Sequence, residues 1–599
     1  MDWFLILGEI DMEVTRKTIS DNIQDRNADK LNVPAFESLG GTAIDYKTYF
    51  EIADVYAKAF KELGVQNGDV VTICSAGTLD TVLNFAALNK IGAVAQFVNP
   101  NYFKYNSKKY INDTNSKLLI CLDRFYPDIK DAIAETNVEK VLLSSISEYS
   151  SYLFKIVARR KRISKSNLID GIDYMELPKF IKLGENSNIK LERIPYVPNK
   201  PAVITYTSGT TGNPKGVVHT NDSINNMIMI YELANGFGVK CGDRNLVLIP
   251  PMYLTSFVHS IYAPMTLGTT NILQPIYNPK SLGKELKKYE PVTVIASKAH
   301  YLNLEDSRLP QGSLSHTKFA YCGGEAISKS VAIRIDKILE FFGIPPMILG
   351  YGETEFATMV MFNNDIPNRT NESGMLIPEV KAKILDLVTG LPVPQGQRGE
   401  LYIQTPAMML EYLNNPEATS KFFVMDDNGE TWAKTGDIAQ ILYQQDGKDI
   451  YEVPGRASDS FIDENGNVVY LFDIETKVED VKYVQQAEVI ALTVDGKKVP
   501  VVHVILDKKA KRFAGDILRI IDTTLKKDNT NESAIPYAYK LRDSFETSPI
   551  SGKRDYAILK YETDGYVRFN KQGELEPIEI VSEESKEKND LIHSKILVR

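Results

Sequence analysis

The sequence predicts an α/β protein, with a large layered α/β core that contains a β-rich subdomain and a small α+β domain at the C-terminal end. Three observations lead to this prediction. Strand and helix patterns alternate over residues 44–100, strand-like segments around a glycine-rich stretch follow residue 375, and a hairpin, two strands and a helix follow residue 455. The 599 residues are 43% hydrophobic and 25% charged, which excludes collagen-like, coiled-coil and largely disordered classes.

The N-terminal part alternates between helix and strand patterns. A helical period through Tyr46–Leu63 precedes the β-rich segment Asp69–Cys74, and the pair Leu79–Leu88 and Ala93–Val98 repeats the order. Alternation of this kind predicts parallel strands covered by helices. Further strand-like segments are Lys117–Leu122, Val138–Leu143, Pro201–Tyr206, Leu246–Ile249, Val292–Ala296 and Lys318–Tyr321. Residues 144–200 are a long, weakly patterned connection.

The C-terminal third has a different pattern. Two strands, Lys381–Leu385 and Gly399–Gln404, are joined by the glycine-rich Thr389–Gly399, which predicts the β-rich subdomain. The small domain is predicted from a hairpin at Asp463–Gly466, strands at Ala487–Thr493 and Val499–Leu506, and a helix near Ala514–Lys527. The tail after about Val581 is rich in Glu, Lys and Ser, and we expect its first part to be loose.

Charge and cysteine content restrict the partners and the compartment. The 69 Lys and Arg against 78 Asp and Glu give −9, which argues against a nucleic-acid partner because that would require a basic face. The four cysteines form no CxxC pair, so they predict neither a zinc site nor a disulfide framework. The apolar run Trp3–Leu7 lacks the basic start of a signal peptide, and no stretch approaches the ~20 apolar residues of a membrane span. These features favour a cytoplasmic protein.

A basic segment, residues 152–165, interleaves apolar residues with lysine and arginine. Two interpretations remain open. The segment is either a helix that makes a weak contact with a membrane surface or a solvated basic helix or loop, which is the commoner meaning of a charge run.

The strongest local signal is Tyr206–Gly216, with the sequence YTSGTTGNPKG directly after an apolar strand. Its glycines let backbone N–H groups approach a phosphate, its hydroxyls add donors, and Lys215 adds a positive charge. The segment is not a Walker A loop, because Gly216 follows the lysine where Ser or Thr is required. There is no GxGxxG motif either, since the nearest approach, Gly350–Glu355, ends in Glu.

Tyr206–Gly216 resembles the phosphate loop of the adenylate-forming superfamily, which contains acyl-CoA synthetases, luciferases and the adenylation domains of peptide synthetases. Six further matches follow in the order that this family shows. They are Tyr321–Ile327, Gly350–Glu355, Gly399–Ile403 with Tyr412–Thr419, Trp432–Asp437, Gly455–Asp459 and Thr547–Lys553. The resemblance covers nearly the whole chain apart from residues 144–200 and the tail.

The resemblance implies ATP-dependent activation of a carboxylic acid to an acyl-adenylate with pyrophosphate release. Because negative charge approaches negative charge in this reaction, cations and oriented donors are needed. Three catalytic residues are implied: Lys553 would reach the oxygens between carboxylate and α-phosphate, Thr354 would contact the α-phosphate, and Glu355 would hold Mg²⁺ together with Thr210. A hard cation bound by phosphates and one carboxylate is chemically sensible.

The resemblance also implies a set of ATP-binding residues. The loop from Ser208 to Gly216 would cradle the β- and γ-phosphates, Tyr351 and Gly323–Glu325 would enclose adenine, and Asp437, assisted by Arg456, would accept from the ribose hydroxyls. The whole set is Thr207, Ser208, Gly209, Thr210, Thr211, Gly212, Lys215, Gly323, Gly324, Glu325, Tyr351, Gly352, Thr354, Asp437, Arg456 and Lys553. His219 is expected to pack or to lie on the surface, since the histidines show no metal spacing.

The resemblance divides the chain at the GRxxD segment. Residues 1–457 would form the adenylation core and residues 458–599 a mobile lid that carries Lys553, with Ser458 at the hinge position. Such a lid rotates between the two half-reactions.

Two departures from the family pattern bear on the substrates. Pro251–Phe257 has no acidic residue where amino-acid-activating relatives carry an aspartate, and a buried ammonium without a counter-charge is costly, so a fatty or aryl acid is expected rather than an α-amino acid. Phe461–Val468 is one residue longer than in relatives, which bears on thiol transfer. CoA is the first choice of acceptor, and a carrier-protein phosphopantetheine is the alternative.

A different class of function also stays open. The chain could be a non-catalytic sensor or scaffold that binds nucleotide without turnover. The presence of Lys553, Asp437, Glu355 and the phosphate loop argues against it.

Overall fold

An eight-stranded and a nine-stranded sheet form most of the N-terminal part of the protein. The computed structural model describes residues 15–38, 42–146, 149, 168–207, 214–234, 238–275, 278–324, 327, 329–363, 372–528, 531–545 and 559–585. The elements before residue 235 are α1 (Ile19–Arg26), β1 (Pro34–Glu37), β2 (Ala43–Asp45), α2 (Tyr46–Glu62), β3 (Val70–Cys74), α3 (Leu79–Lys90), β4 (Val94–Phe97), α4 (Pro100–Thr114), β5 (Leu118–Leu122), α5 (Tyr126–Ile133), β6 (Lys140–Ser144), β7 (Asp173–Glu176), α6 (Leu177–Glu185), β8 (Pro201–Tyr206), β9 (Gly216–Thr220) and α7 (Asn221–Ala234).

The elements from residue 244 to residue 456 complete the two sheets and add the β-rich subdomain. They are β10 (Arg244–Val247), a π-helix (Ser256–Tyr262), α8 (Ala263–Thr266), β11 (Thr270–Leu273), α9 (Leu282–Tyr289), β12 (Thr293–Ile295), α10 (Lys298–Leu302), β13 (Phe319–Gly323), α11 (Lys329–Phe341), β14 (Ile348–Glu353), β15 (Thr358–Asn363), β16 (Met375–Leu376), β17 (Lys381–Leu385), β18 (Gly399–Gln404), β19 (Glu411–Tyr412), α12 (Pro416–Phe422), β20 (Phe423–Met425), β21 (Thr431–Gln445) and β22 (Lys448–Arg456).

The C-terminal part has a hairpin, a second sheet and two longer helices. Its elements are β23 (Ser460–Ile462), β24 (Val468–Tyr470), α13 (Leu471–Glu479), β25 (Val484–Val494), β26 (Lys497–Leu506), α14 (Ala514–Asp528), β27 (Ala538–Arg542), β28 (Tyr566–Phe569) and β29 (Leu575–Ile578). Short 3₁₀ turns occur at Pro279–Ser281, Asn303–Asp306, Thr354–Phe356, Ala457–Asp459, Lys511–Phe513 and Glu532–Ala534.

The eight-stranded sheet has the order β19-β9-β8-β4-β3-β5-β6-β7. The six strands from β8 to β7 are parallel, while β9 and β19 are antiparallel at one edge. Parallel strands need crossover connections, and α3, α4 and α5 supply them between β3, β4, β5 and β6. Every residue of α3 from Leu79 to Asn89 is buried, which explains why this helix is apolar on more than one face.

The nine-stranded sheet has the order β16-β15-β14-β13-β12-β10-β11-β1-β2. Its strands from β14 to β1 are parallel, and β15, β16 and β2 are antiparallel at the two edges. Consequently the carboxyl ends of β13 and β14 lie side by side. In sheets of this kind, ligands bind outside the carboxyl ends of the parallel strands.

The β-rich subdomain and the C-terminal domain follow in the predicted order. The subdomain is a sheet of order β17-β18-β21-β20, with β22 paired to β21, and the C-terminal sheet has the order β25-β26-β27-β28-β29. The C-terminal domain has its own core, in which Val478, Val502 and Ile521 are fully buried. The α/β fold class predicted from the sequence is therefore confirmed.

A cluster of charges, called here the C-terminal cluster, joins β27 to the segment before β28. Lys540 and Arg542 both contact the carboxylate of Glu562, with Lys540 Nζ at 2.7 Å. Arg542 Nε also donates to Nδ1 of the buried His503 at 2.9 Å. Burial and the neighbouring Arg542 together lower the pKa of His503 to about 3, so this histidine accepts the bond as a neutral ring.

Two expectations about less patterned regions are wrong. The connection between residues 144 and 200 contains β7 and α6, and α6 packs so closely on α2 that a Cβ atom on Gly184 would lie 2.0 Å from the Val55 carbonyl oxygen. The first part of the tail is packed, because Glu584 accepts hydrogen bonds from the N–H and the hydroxyl of Thr493 at 3.1 and 2.9 Å. In both places the segment is polar, so its sequence does not indicate the contact that it makes with a distant part of the chain.

The basic segment 152–165 lies outside the described residues. None of the helices in the described ranges combines the length and the apolar character needed to cross a bilayer.

Candidate active site

The candidate site lies at the carboxyl ends of β13 and β14. Gly323, the last residue of β13, pairs in register with Gly350 of β14. A Cβ atom on Gly323 would lie 2.8 Å from the Gly350 carbonyl oxygen, so the two strands keep this separation only because residue 323 is glycine. Gly324 follows with φ +77°, in the left-handed region that glycine tolerates. The exposed backbone here is available to a ligand.

Four side chains form what we call the strand-end cluster. Tyr351 and Glu353 share one face of β14 because they lie two residues apart, and Asp437 of β21 is paired in register with Arg456 of β22. The Tyr351 hydroxyl donates to Asp437 Oδ2 at 2.7 Å. Arg456 contacts Asp437 Oδ1 through Nε at 2.8 Å and Glu353 Oε1 through Nη1 at 2.9 Å. Three sequence motifs therefore meet in one network.

The strand-end cluster holds two buried carboxyl groups against one guanidinium. Burial raises the pKa of Glu353 well above its usual value, and the nearby Asp437 and Glu355 raise it further. Burial also raises the pKa of Asp437, although Arg456 and the Tyr351 hydrogen bond act in the opposite direction. Shifts that combine burial with like-charge repulsion are concentrated at functional sites.

Glu355 is held between β9, β19 and the turn after β14. The Tyr412 hydroxyl donates to Glu355 Oε1 at 2.6 Å, and the Met409 N–H donates to the Glu355 carbonyl at 2.7 Å. Burial and the Glu355 carboxylate both raise the pKa of Tyr412, so the phenol stays a protonated donor. The carboxylate of Glu355 is thereby held in one orientation.

Lys215 reaches the same region from the end of the predicted phosphate loop. Its Nζ lies 3.9 Å from the centroid of the Tyr412 ring, which is a cation–π contact. The Thr207 N–H donates to the Lys215 carbonyl at 3.0 Å and joins the two described ends of the loop. Tyr412 thus connects the loop lysine to Glu355.

His219 of β9 supports the turn that carries Thr354. It is fully buried, its Nε2 donates to the Thr354 carbonyl at 2.7 Å, and its Nδ1 accepts from the Ser223 hydroxyl at 3.1 Å. Burial lowers the pKa of His219 to about 4, so the ring is neutral near neutral pH. The sequence analysis expected His219 either to pack or to lie on the surface, and the structure shows that it packs.

The backbone after β14 is strained. Ala357 has φ +54° and Thr358 has φ +133°, a conformation that is costly for a β-branched residue. The Thr358 carbonyl oxygen would lie 1.7 Å from a Cβ atom on Gly352, so glycine is required at residue 352. The turn that carries Thr354 and Glu355 is therefore tight, because the backbone at Gly352 before it lies directly against the backbone at Thr358 after it.

The predicted site residues fall into two groups. Those within the described ranges lie around the ends of β13 and β14, with Ser458 beyond them. Ser458 is exposed in the 3₁₀ turn that follows β22, and its hydroxyl donates to Asp459 Oδ1 at 3.3 Å. The predicted residues outside the described ranges are Ser208, Gly209, Thr210, Thr211, Gly212, Glu325 and Lys553.

Two residues of the site were not predicted. Glu353 lies inside a motif that was recognised, and the period of two along β14 places it on the same face as Tyr351, which was a signal available in the sequence. Tyr412 also lies inside a recognised segment. Its contact with Glu355 joins residues 57 positions apart, and no local pattern indicates it.

Comparisons with known proteins identify the family of this chain and its fold. The sequence profile described as AMP-binding enzyme matches residues 23–413. A long-chain-fatty-acid–CoA ligase of Escherichia coli O6:H1 is 26% identical over 568 residues, which cover 92% of this chain and 95% of the relative. A 4-coumarate–CoA ligase-like protein of Arabidopsis thaliana is 26% identical over 422 residues, covering 69% of this chain and 68% of the relative.

A solved structure has the same fold. ATP-bound MatB from Rhodopseudomonas palustris superposes with a TM-score of 0.72 at 20% identity, and the match covers 90% of this chain and 98% of that one.

Proposed function

This chain belongs to the AMP-binding enzyme family, and from that membership we propose that it joins a fatty or aryl carboxylic acid to CoA at the expense of ATP. The family catalyses acid adenylation followed by thioester formation with CoA, which makes the protein an AMP-forming acid–thiol ligase. The observation that carries the proposal is the strand-end cluster, in which Tyr351 and Asp437, 86 positions apart, are in direct contact.

The strand-end cluster would bind the nucleoside of ATP. A carboxylate accepts through about four lone pairs, so Asp437 can bind ribose hydroxyls while it still contacts Tyr351 and Arg456. Arg456 compensates only one of the two carboxylates, and hydroxyl donors from a ligand would reduce the remaining imbalance. Gly323 and Gly324 present backbone beside the Tyr351 ring, where a flat base could lie.

Adenylation would take place beside Thr354. A carboxylate oxygen of the acid attacks the α-phosphorus, the bond from that phosphorus to the bridging oxygen breaks, and pyrophosphate leaves. Lys215 would balance the charge of the departing phosphates, and Lys553 would stabilise the charge that develops between acid and α-phosphate. The CoA sulfur then attacks the acyl carbon, and AMP leaves with the bonding electrons.

The residues present fit a magnesium ion. Glu355 offers a buried carboxylate whose orientation is set by Tyr412, and Thr210 would add a hydroxyl, a set of hard oxygen donors that suits Mg²⁺ alongside phosphate oxygens. When bound, the ion would neutralise phosphate charge. No histidine or cysteine is needed for such a site.

An uncharged organic tail is the proposed substrate class. In the segment Pro251–Phe257, which runs into the start of the π-helix, Met252, Leu254 and Phe257 are buried and no side chain is acidic, so an ammonium group would lack a counter-charge. The similar Escherichia coli and Arabidopsis proteins are described as fatty-acid and coumarate-type ligases. Fatty and aryl acids are therefore proposed.

Two finer expectations stay predictions. A carrier-protein phosphopantetheine is the alternative acceptor, and residues 152–165 are the candidate membrane contact. The first is tested by comparing CoA with a phosphopantetheinylated carrier protein as consumer of the adenylate. The second is tested by co-sedimentation with vesicles that contain anionic lipid.

The proposed function is tested by pyrophosphate release across short, medium and long fatty acids, aryl acids and α-amino acids, with and without CoA. We expect release with fatty or aryl acids, and acyl-CoA when CoA is added. If none of the acids in the panel causes pyrophosphate release, the result would contradict an acid ligase and support the nucleotide-binding sensor.

Lys553→Ala tests the catalytic lysine within the same assay. Because its charge is needed in the transition state, we expect a loss of about 10²–10³ in pyrophosphate release while ATP affinity changes little. The exposed Lys571→Ala is the matched control and should retain full activity. Undiminished release by the Lys553 variant would contradict the assignment.

A further inference from the structure

The π-helix Ser256–Tyr262 is held in its unusual form by two buried asparagines from the nine-stranded sheet. Asn245 of β10 donates through Nδ2 to the Ser260 carbonyl at 2.5 Å and to Asn271 Oδ1 at 3.0 Å. Asn271 of β11 donates to the Ile261 carbonyl at 3.4 Å. A π-helix is rare, and it occurs most often at functional sites. The side chains of this segment are consequently fixed in place by the sheet below.

His259 lies in the middle of the π-helix and is 6% exposed. Neither of its ring nitrogens has a hydrogen-bond partner in the described part of the chain. Its ring contacts that of Tyr231 on α7, with the centroids 5.6 Å apart. Buried side-chain nitrogens are almost always paired, because leaving them unpaired is destabilising. A polar atom from outside the described residues would satisfy them.

The charge state of His259 restricts what that atom can be. Burial lowers the pKa of His259 to about 4, so the imidazole is neutral near neutral pH. A neutral ring has one nitrogen that donates and one that accepts. It therefore suits an uncharged hydroxyl or carbonyl group, whereas a buried carboxylate would have no opposite charge here.

A series of contacts leads from the candidate active site to His259. Tyr321 and Gly323 lie two residues apart on β13, so they share one face of the sheet. Tyr321 and Tyr231 both pack against the same buried core cluster. Burial raises the pKa of Tyr321 well above its usual value, and the Tyr231 phenol contributes in the same direction. Tyr231 in turn contacts His259. An acid that reacts beside Gly323 would extend its tail along this face.

We infer that His259 is a specificity-determining residue that binds an oxygen atom on the tail of the acid. The preferred substrate is then a fatty or aryl acid with a hydroxyl or keto group away from the carboxylate, rather than its plain hydrocarbon counterpart. This inference rests on the proposed function, because it requires that the acid is bound beside Gly323 and activated there.

The test compares matched acids that differ by one oxygen. The pairs are dodecanoic with ω-hydroxydodecanoic acid, octanoic with ω-hydroxyoctanoic acid, and benzoic with para-hydroxybenzoic acid. The readout is kcat/KM for pyrophosphate release by the full-length chain. In at least one pair we expect the oxygenated acid to be preferred by about tenfold to a hundredfold, since a site built to hydrogen-bond a hydroxyl discriminates against the analogue that lacks it.

Variants of His259 then test whether this residue causes the preference for the oxygenated acid. His259→Phe keeps an aromatic ring but removes both nitrogens, and we expect the ratio within the preferred pair to fall to about one with little loss for the plain acid. His259→Asn retains a donor and an acceptor and should keep part of the ratio. His316→Phe is the matched control. His316 bonds the carbonyl of Leu286, which belongs to a different core cluster from the π-helix, so this change should leave the ratio unchanged.

The outcomes separate this inference from the proposed function. If plain and oxygenated acids are activated equally by the native chain in every pair, the inference is overturned and the proposed function stands. A ratio that persists in His259→Phe also overturns it. If no acid of either kind releases pyrophosphate, the proposed function fails as well. If His259→Phe does not fold, the preference ratio of His259→Asn decides. A ratio in His259→Asn equal to that of the native chain, with the control His316→Phe fully active, would overturn the inference.

Discussion

The strand-end cluster and the C-terminal cluster are both groups of charges around a buried or partly buried carboxyl, but their charge balances differ. Within the described residues, the strand-end cluster has the carboxyls of Glu353 and Asp437 paired with one cation, Arg456. The C-terminal cluster has two cations, Lys540 and Arg542, that share the carboxyl of Glu562, and Lys540 also lies 3.8 Å from the exposed carboxyl of Asp564. The first has more carboxyls than cations, whereas in the second each cation has a carboxylate partner.

This difference separates a site from a structural contact. Burial raises the pKa of Asp437 in spite of Arg456, so its carboxylate is held at a cost in folding free energy. Burial would also raise the pKa of Glu562, but hydrogen bonds from Arg542 and Lys540 lower it overall. The C-terminal cluster is complete by itself, whereas the strand-end cluster gains stability when a ligand brings donors.

The largest expected effect that tests this comparison is on ATP. Asp437→Ala removes the proposed acceptor for the ribose hydroxyls, and we expect ATP affinity to fall by about tenfold to a hundredfold, since hydrogen bonds to charged groups are stronger than neutral ones. Titration calorimetry measures it. The exposed Asp427→Ala is the matched control. Equal ATP affinity in both variants would remove Asp437 from the nucleotide site.

The second prediction concerns the sign of two stability changes. Glu562→Gln leaves two cations without their carboxylate, and we expect a loss of about 1–2 kcal/mol in the free energy of unfolding. Glu353→Gln relieves repulsion with Asp437 and should change it by less than about 0.5 kcal/mol or increase it. Urea unfolding of both variants measures the difference. A large loss for Glu353→Gln would show that the two clusters have the same structural role.

The third prediction is the pH dependence of the same two variants. The pKa of Glu562 is lowered from 4.5 on folding, so its contribution is complete above pH 4.5 and is lost as pH falls through the folded value. The pKa of Glu353 is raised from 4.5, so the folded chain takes up its proton first and native stability relative to Glu353→Gln improves as pH falls toward 4.5. Parallel pH profiles for the two variants would contradict this assignment.

The smallest expected effect is that of Tyr351→Phe. The change removes only the 2.7 Å bond to Asp437 and retains the ring. We expect the KM for ATP to rise by about twofold to fivefold with a smaller change in kcat, in line with one hydrogen bond. A loss as large as that of Asp437→Ala would mean that Tyr351 has a role beyond orienting the carboxylate.

The sequence predicted the fold class and most core strands because their apolar periods are strong. It missed β7 because this strand lies at a sheet edge and reads Asp-Tyr-Met-Glu, with too little apolar character to stand out. Helix α6 was missed beside it, since Gly184 lowers helix propensity and is explained only by its contact with α2. When the residues of a strand or helix are determined by contacts with a distant part of the chain, the local sequence does not predict that element.

The same distinction holds for the candidate site. Motifs indicated Tyr351, Asp437 and Arg456, and the structure joins them. The contacts of Tyr412 with Glu355 and Lys215 depend on how β19 pairs with β9, which periodicity cannot specify. That the ring of His259 has no hydrogen-bond partner among the described residues could not be foreseen either, because its position depends on the asparagines that contact the π-helix.

The strained turn at Thr358 has a consequence for protein engineering. Glycine adopts φ +133° without the penalty that a threonine suffers, so Thr358→Gly is expected to raise the thermal unfolding temperature. The same exchange would loosen the segment that orients Glu355. A screen for heat resistance alone would therefore favour glycine at this position, whereas a screen for turnover would favour threonine, and residue 358 is a place where the two selections are opposed.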